Sequence, residues 1–170
     1  MPTVKKSIEV DVPVRVAYDQ WTQFEEFPRF MEGIEAVTQL DDKRLHWRGK
    51  VAGKVEEWDA EITEQVPDKI IAWRSTSGAR NEGIVRFVPQ GGSKTEIELE
   101  MHWEPQGVTE RIGDVLGADD VRIQGDLGRF KKFIEERRSP TGAWRGKISG
   151  DKVEGDRAEE DLEAGTGSRG

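Results

Sequence analysis

From Thr95 to Trp103 the chain alternates polar and apolar residues without a break. Ile97, Leu99, Met101 and Trp103 take one parity, and Glu96, Glu98, Glu100 and His102 take the other. A period of two suits a half-buried antiparallel strand, with one face on a core and the other in water. A helix would scatter the same residues around its circumference. The pattern recurs upstream. Leu45, Trp47 and Val51 alternate with His46, Arg48 and Lys50, and Trp58, Ala60 and Ile62 with Glu57, Asp59 and Glu61. Ile71 and Trp73 alternate with Ala72 and Arg74, while Val85 and Phe87 do so less cleanly.

The turns decide whether these faces agree, because a one-residue slip inverts a strand. A two-residue turn at Ala52-Gly53 sets Trp47 opposite Trp58 inside and Arg48 opposite Glu57 outside. A second at Pro67-Asp68 sets Ile62 opposite Trp73. A three-residue loop at Gln90-Gly91-Gly92 sets Val85 against Ile97 and Arg86 against Glu96. Opposite charges then meet on the wet face, as sheet pairing favours.

Helices bracket this meander. Thr3 to Val12 reads as a first strand, and Pro13 suits the start of a helix. Val16, Tyr18, Trp21 and Phe24 lie on a short helix, followed after a break by Phe27, Phe30 and Met31. From Val108 to Arg138, Ile112, Leu116, Ile123, Leu127, Phe130 and Ile134 mark one helical face, with a kink or short break expected at Gly117. Ser139-Pro140 stops that helix. The domain is therefore expected over residues 1–138. Residues 139–170, rich in Gly, Asp, Glu and Arg, are expected to form a disordered acidic tail.

Composition narrows the function. The chain has 170 residues, enough for one domain with its own core. It carries 26 Lys and Arg against 34 Asp and Glu, a net charge of −8, which disfavours nucleic acid or an anionic membrane as partner. There is no Cys, so thiolate chemistry and disulfides are excluded and a reducing cytoplasm is the expected setting. The segment from Met1 to Lys6 lacks the apolar run of a signal peptide, so no secretory leader is expected, and with no run of apolar residues long enough to span a bilayer membrane insertion is not expected either. Two distant His residues form no metal-ligand spacing, and no cofactor motif is found. No protein partner is identifiable.

Several segments carry a resemblance. They are Ile8-Glu9-Val10-Asp11-Val12-Pro13, Trp21-Thr22-Gln23-Phe24-Glu25-Glu26-Phe27-Pro28-Arg29-Phe30-Met31, Trp73-Arg74-Ser75, Gly83-Ile84-Val85-Arg86-Phe87 and Leu127-Gly128-Arg129-Phe130-Lys131-Lys132-Phe133. In this order the chain resembles the START-like helix-grip superfamily (SRPBCC), specifically the bacterial polyketide cyclase/dehydrase and lipid-transport group. The resemblance implies an α+β helix-grip fold. In it a curved antiparallel sheet of about seven strands wraps a long C-terminal helix, with two short helices after the first strand. It also implies a cavity between sheet and helix for a lipid, polyketide or quinone-like molecule. The motifs are packing residues and carry no catalytic assignment, since fold alone does not choose a chemistry.

Parity supplies the expected cavity wall: Trp47, Trp58, Trp73, Phe87, Met101 and Trp103 from the sheet, with Leu116 and Leu127 from the helix. None is an acid or a base. His46 and His102 fall on the outer face, as do Arg74 and Arg86, and Glu64 is the inward exception on the sheet. No catalytic residue can be named. The sequence reading is thus a binder of a small hydrophobic ligand, with a polyketide aromatase/cyclase as the enzymatic alternative. A protein-interaction module with a packed interior is the third. A void of roughly 300 Å³ or more separates the first two from the third.

Overall fold

The computed structural model describes residues 3–51, 54–78, 80–104 and 112–155, with the side chains of residues 51, 103–104 and 112–120 outside the description. Strand β1 (Thr3–Val10) leads into helix α1 (Val14–Trp21) and a 3-10 turn (Phe24–Arg29). A meander follows: β2 (Ile34–Gln39), β3 (Arg44–Val51), β4 (Lys54–Val66), β5 (Ile70–Gly78), β6 (Arg80–Gln90) and β7 (Lys94–Glu104). Helix α2 (Ile112–Arg137) comes next, then a short hairpin, β8 (Lys147–Ser149) and β9 (Lys152–Glu154). The main sheet runs β1-β7-β6-β5-β4-β3-β2, every pair antiparallel. This is the helix-grip arrangement: Ile123, Leu127, Phe130 and Ile134 of α2 are buried in one core with Val10, Val85 and Ile97 of the sheet.

Between β3 and β4 the expected register holds, with Trp47 opposite Trp58 and Arg48 opposite Glu57. The Ala52-Gly53 turn itself lies outside the described residues. At β4–β5 the pairing of Ile62 with Trp73 is also found, by a different route. The loop is one residue longer than expected, since Val66 pairs with Ile70, and Asp68 within it adopts a left-handed φ of 63°. A bulge between Ile62 and Glu64 then absorbs the extra residue. That bulge exchanges the faces beyond it. Glu64 is exposed and Gln65 is buried, which corrects the expectation of an inward Glu64.

The β6–β7 loop is Gly91-Gly92-Ser93, with Gln90 paired to Lys94. Val85 consequently meets Leu99, and Arg86 meets Glu98. The register differs from the expected one by two residues, an even shift, so the inward and outward sets are unchanged. Helix α2 runs unbroken through Gly117, where a break was expected.

A larger correction concerns the segment after Ser139. Rather than being disordered, residues 139–155 pack along the domain. Ile148 is fully buried, and β8 pairs with β4 at Glu64 and Gln65, beyond the point where β3 begins at Arg44. The long strand β4 would otherwise present an unpaired edge there. The segment is pinned along its length: Thr141 exchanges hydrogen bonds with Gln20 at 2.8 and 3.1 Å, and the Trp144 amide donates to Thr22 Oγ1 at 3.1 Å. Arg145 pairs with Asp19, and with Asp68 at 2.7 Å. Composition concealed this because few side chains hold the strap, and each is used. Residues 156–170, the rest of the expected tail, lie outside the described residues.

Candidate functional site

Aromatic residues divide the interior into a packed end and a hollow end. In the packed end, the Trp21 ring lies 5.0 Å from Phe130 and 5.6 Å from Phe27, and Phe30 lies 5.1 Å from Phe130. Phe87 belongs to this layer, edge-on to Tyr18 at 5.3 Å. Such edge-to-face contacts fill space. Toward β2–β5, beyond the contact of Phe27 with Trp47 at 5.6 Å, a cavity of about 90 Å³ remains.

The sheet wall of this cavity includes Leu45, Trp47, Trp58, Ile62, Trp73 and Met101. Trp47 and Trp58 stack across the β3–β4 ladder, nearly parallel at 7° with centroids 6.0 Å apart. Glycines make room for the large rings. A Cβ on Gly83 would lie 2.4 Å from the Trp73 ring, while one on Gly49 would meet the Gly33 backbone carbonyl at 2.8 Å and only touch the Trp58 ring, at 3.4 Å. Trp21, Phe24, Phe27, Met31 and Ile34 close a second side, and Arg122, Ile123 and Asp126 of α2 a third.

Four expected wall residues, Trp47, Trp58, Trp73 and Met101, therefore come together around one void. Phe87 and Leu127 do not line it; both are buried in the packed layer and core. The side chains of Trp103 and Leu116 lie outside the described residues. Trp21, Phe24 and Phe27 were missed as wall residues, although their spacing of three was visible.

Polar groups punctuate the apolar wall, against the expectation of a wholly apolar lining. Asn81 is buried and lines the cavity, with the Trp73 indole N–H pointing to its Oδ1 at a long 3.4 Å. Parity with Gly83, Val85 and Phe87 would have placed it inward. The indole nitrogen of Trp47 is buried without a hydrogen-bond partner among the described residues. Lys50, Arg122 and Asp126 line the cavity where α2 faces the start of β2 and the end of β3. There Arg122 donates to the Lys50 carbonyl at 3.3 Å, and Asp126 accepts from the Glu32 amide at 3.1 Å and pairs with Arg129. Burial pushes the Asp126 carboxyl above its ordinary range, against the opposing pull of the Glu32 N–H and of Arg129 and Arg122.

Elsewhere the ionisable groups serve the surface or the fold. Arg74 and Arg86 point outward to Glu61 and Glu100 at 3.8 and 3.9 Å. On the outer face His46 lies 2.7 Å from Asp59, and Ser77 donates to the same carboxylate at 3.0 Å. That order leaves the serine on the carboxylate rather than on the imidazole, so the histidine cannot take its proton. Tyr18 is fully buried, its hydroxyl accepting from Gln65 Nε2 at 3.1 Å, and burial drives its phenol far above the ordinary range. No group of three or more metal-ligating side chains occurs among the described residues, and among them no helix is long and apolar enough to cross a membrane.

Comparison with known proteins agrees with this architecture. Residues 10–132 match the family model described as polyketide cyclase/dehydrase and lipid transport. A 17.2 kDa protein from the melC2-rnhH intergenic region of Streptomyces lincolnensis is 50% identical over 149 residues, covering 87% of this chain and 99% of the relative. Among solved structures, the Zhui aromatase/cyclase from a Streptomyces species superposes with a TM-score of 0.70 at 16% identity, covering 84% of this chain and 98% of its own. A START superfamily protein from Mycobacterium smegmatis gives 0.65 at 15% identity, with 77% and 98% covered. A Deinococcus radiodurans protein gives 0.65 at 27%, with 81% and 99% covered. With its sheet wrapped around α2 and the family match spanning most of that unit, the chain belongs to the polyketide cyclase/dehydrase and lipid transport family of START-like helix-grip proteins.

Proposed function

We propose that the protein binds a small hydrophobic molecule in the cavity between sheet and α2. The observation that carries this reading is the void itself. It persists beside a densely interlocked aromatic layer and is walled mainly by apolar and aromatic side chains. Ordinary core packing leaves few gaps larger than a water molecule, whereas ligand sites are apolar hollows with a few converging polar groups. At about 90 Å³ the void falls short of the roughly 300 Å³ dividing the ligand readings from a packed interior, so the ligand reading holds only for a guest smaller than a drug-sized one. The guest is accordingly small and flat, or enters as Met31 and Met101 shift; methionine is the side chain best suited to repacking.

Native mass spectrometry of freshly purified protein, followed by denaturing extraction, tests the proposal. A stoichiometric adduct released as an apolar molecule is expected. Protein that is always free of ligand, and whose Trp fluorescence no apolar compound quenches, would leave a packed interior as the better account.

The second reading is an aromatase/cyclase, favoured by the fold neighbour of that activity and by Asp126 and Asn81 at the cavity. Carbon–oxygen proton transfers need a group of tuned pKa within reach of the substrate, and a buried carboxyl pushed upward is one. Faster ring closure of a linear poly-ketone, lost in Asp126→Asn, would replace binding by catalysis.

A further inference from the structure

Beside the charged Lys50, Arg122 and Asp126, the cavity lining holds one uncharged amide side chain, Asn81. Asn81 is 3% exposed and shares its face of β6 with the buried Gly83, Val85 and Phe87. Its Oδ1 accepts from the Trp73 indole N–H at 3.4 Å, which sets the amide group beside a ring of the cavity wall. That contact is longer than the roughly 2.7–3.2 Å of a full N–H···O bond. The backbone holds the residue in place, since the Asn81 N–H donates to Ser75 Oγ at 3.0 Å, next to the last β5–β6 pair, Arg74 with Glu82. Asn81 also borders a surface concavity formed by Arg74, Ser75, Thr76, Arg80 and Glu82. A buried amide therefore stands where the apolar cavity meets polar surface.

We propose, resting on the ligand-binding reading above, that the guest carries a hydroxyl group and that Asn81 recognises it. The hydroxyl donates to Asn81 Oδ1, and the apolar body lies against Trp47 and Trp58. An amide oxygen accepts two hydrogen bonds, and an O–H donor reaches it at a shorter distance than the stretched contact from Trp73. Exchanging that contact for the guest's hydroxyl therefore costs little. Burying an amide in an apolar wall is unfavourable without good partners, and ligand sites place a few such groups to fix orientation. A ketone or an ether has no proton to give Oδ1.

Two nearly isosteric probes, 2-naphthol and 2-methylnaphthalene, test this when titrated into the full chain. The naphthol should bind about fivefold more tightly, even though the methyl compound is the more apolar. Asn81→Leu, similar in size, should bind the two probes equally, whereas Asn81→Asp, which keeps an acceptor oxygen, should still prefer the naphthol. In NMR spectra of the wild type, the Trp73 indole N–H should shift further with the naphthol than with the methyl compound. If Asn81→Leu does not fold, that signal decides: equal Trp73 shifts with both probes overturn the assignment. Equal affinity of the wild type for the two, or a naphthol preference that survives Asn81→Leu, would also overturn it and leave the hydrophobic-ligand reading standing. Binding of neither probe would overturn both.

Discussion

Trp47 and Trp58 face each other across the β3–β4 ladder with their rings 7° from parallel and their centroids 6.0 Å apart, and both line the cavity. Each ring is anchored in a strand, and the pair is fixed by one register. Trp58 is almost fully buried, while Trp47 is partly exposed. Trp58→Ala should therefore cost about 3–5 kcal/mol of stability, and Trp47→Ala less, because the transfer and cavity contributions both scale with what is buried. Urea denaturation followed by circular dichroism measures the difference. Equal costs would mean that the two rings share one environment.

Gly83 tests whether the hollow depends on backbone room. A methyl there would lie 2.4 Å from the Trp73 ring, which lines the cavity. Gly83→Ala should destabilise by about 1–3 kcal/mol and displace the indole. Bound hydrophobic dye should change in affinity along with the stability. A fully stable variant with unaltered binding would show that Trp73 has free space elsewhere.

The strap formed by residues 139–155 makes its own prediction. Ile148→Ala should cost about 2–5 kcal/mol, as for any fully buried aliphatic truncation. Arg145→Met should also destabilise, because it leaves the buried carboxyl of Asp19, whose pKa burial already raises, with only the more distant Arg15 at 3.8 Å. The loss should shrink at low pH, where Asp19 is protonated. Thermal melts from pH 4 to 8 read both effects. Negligible cost for either variant would indicate a strap that adds nothing to the fold.

On the outer sheet His46 sits between Asp59 and Glu57, and its hydrogen bonds to them raise its pKa above 6.5. The same contact, together with Ser77, lowers the pKa of Asp59. A raised histidine value gives stability that is complete below the unfolded pKa and fades as pH climbs through the folded one. A depressed aspartate value gives stability present above its unfolded pKa and lost as pH falls through the folded one. The pair therefore supports the fold between those two limits. NMR titration should place His46 above 6.5, and Asp59→Asn should bring it down. An unshifted His46, or one indifferent to Asp59→Asn, contradicts the assignment.

The faces of the sheet were legible because parity survives errors of register. A two-residue misplacement at β6–β7 left Val85, Phe87, Ile97 and Leu99 inside. Parity failed where a bulge intervened, at Thr63, and there it exchanged Glu64 for Gln65. The four aromatic and methionine walls at Trp47, Trp58, Trp73 and Met101 were readable for the same reason. Phe87 and Leu127 also point inward, but which inward residues touch the void depends on how α1 and the 3-10 turn pack, and no strand period encodes that. The strap escaped notice because its hairpin, Lys147-Ile148-Ser149 before Gly150-Asp151, is too short to show a period.

The central claim is that the Trp-lined void admits a small apolar guest. Two-dimensional amide and indole NMR during titration with 2-naphthol tests it most directly. Saturable shifts should cluster at Gly33, Leu45, Trp58, Trp73, Leu99 and Ile123, around the cavity, and should include the Trp47 indole N–H. Shifts confined to the outer face near His46 and Asp59, or no saturable shifts, would contradict the account.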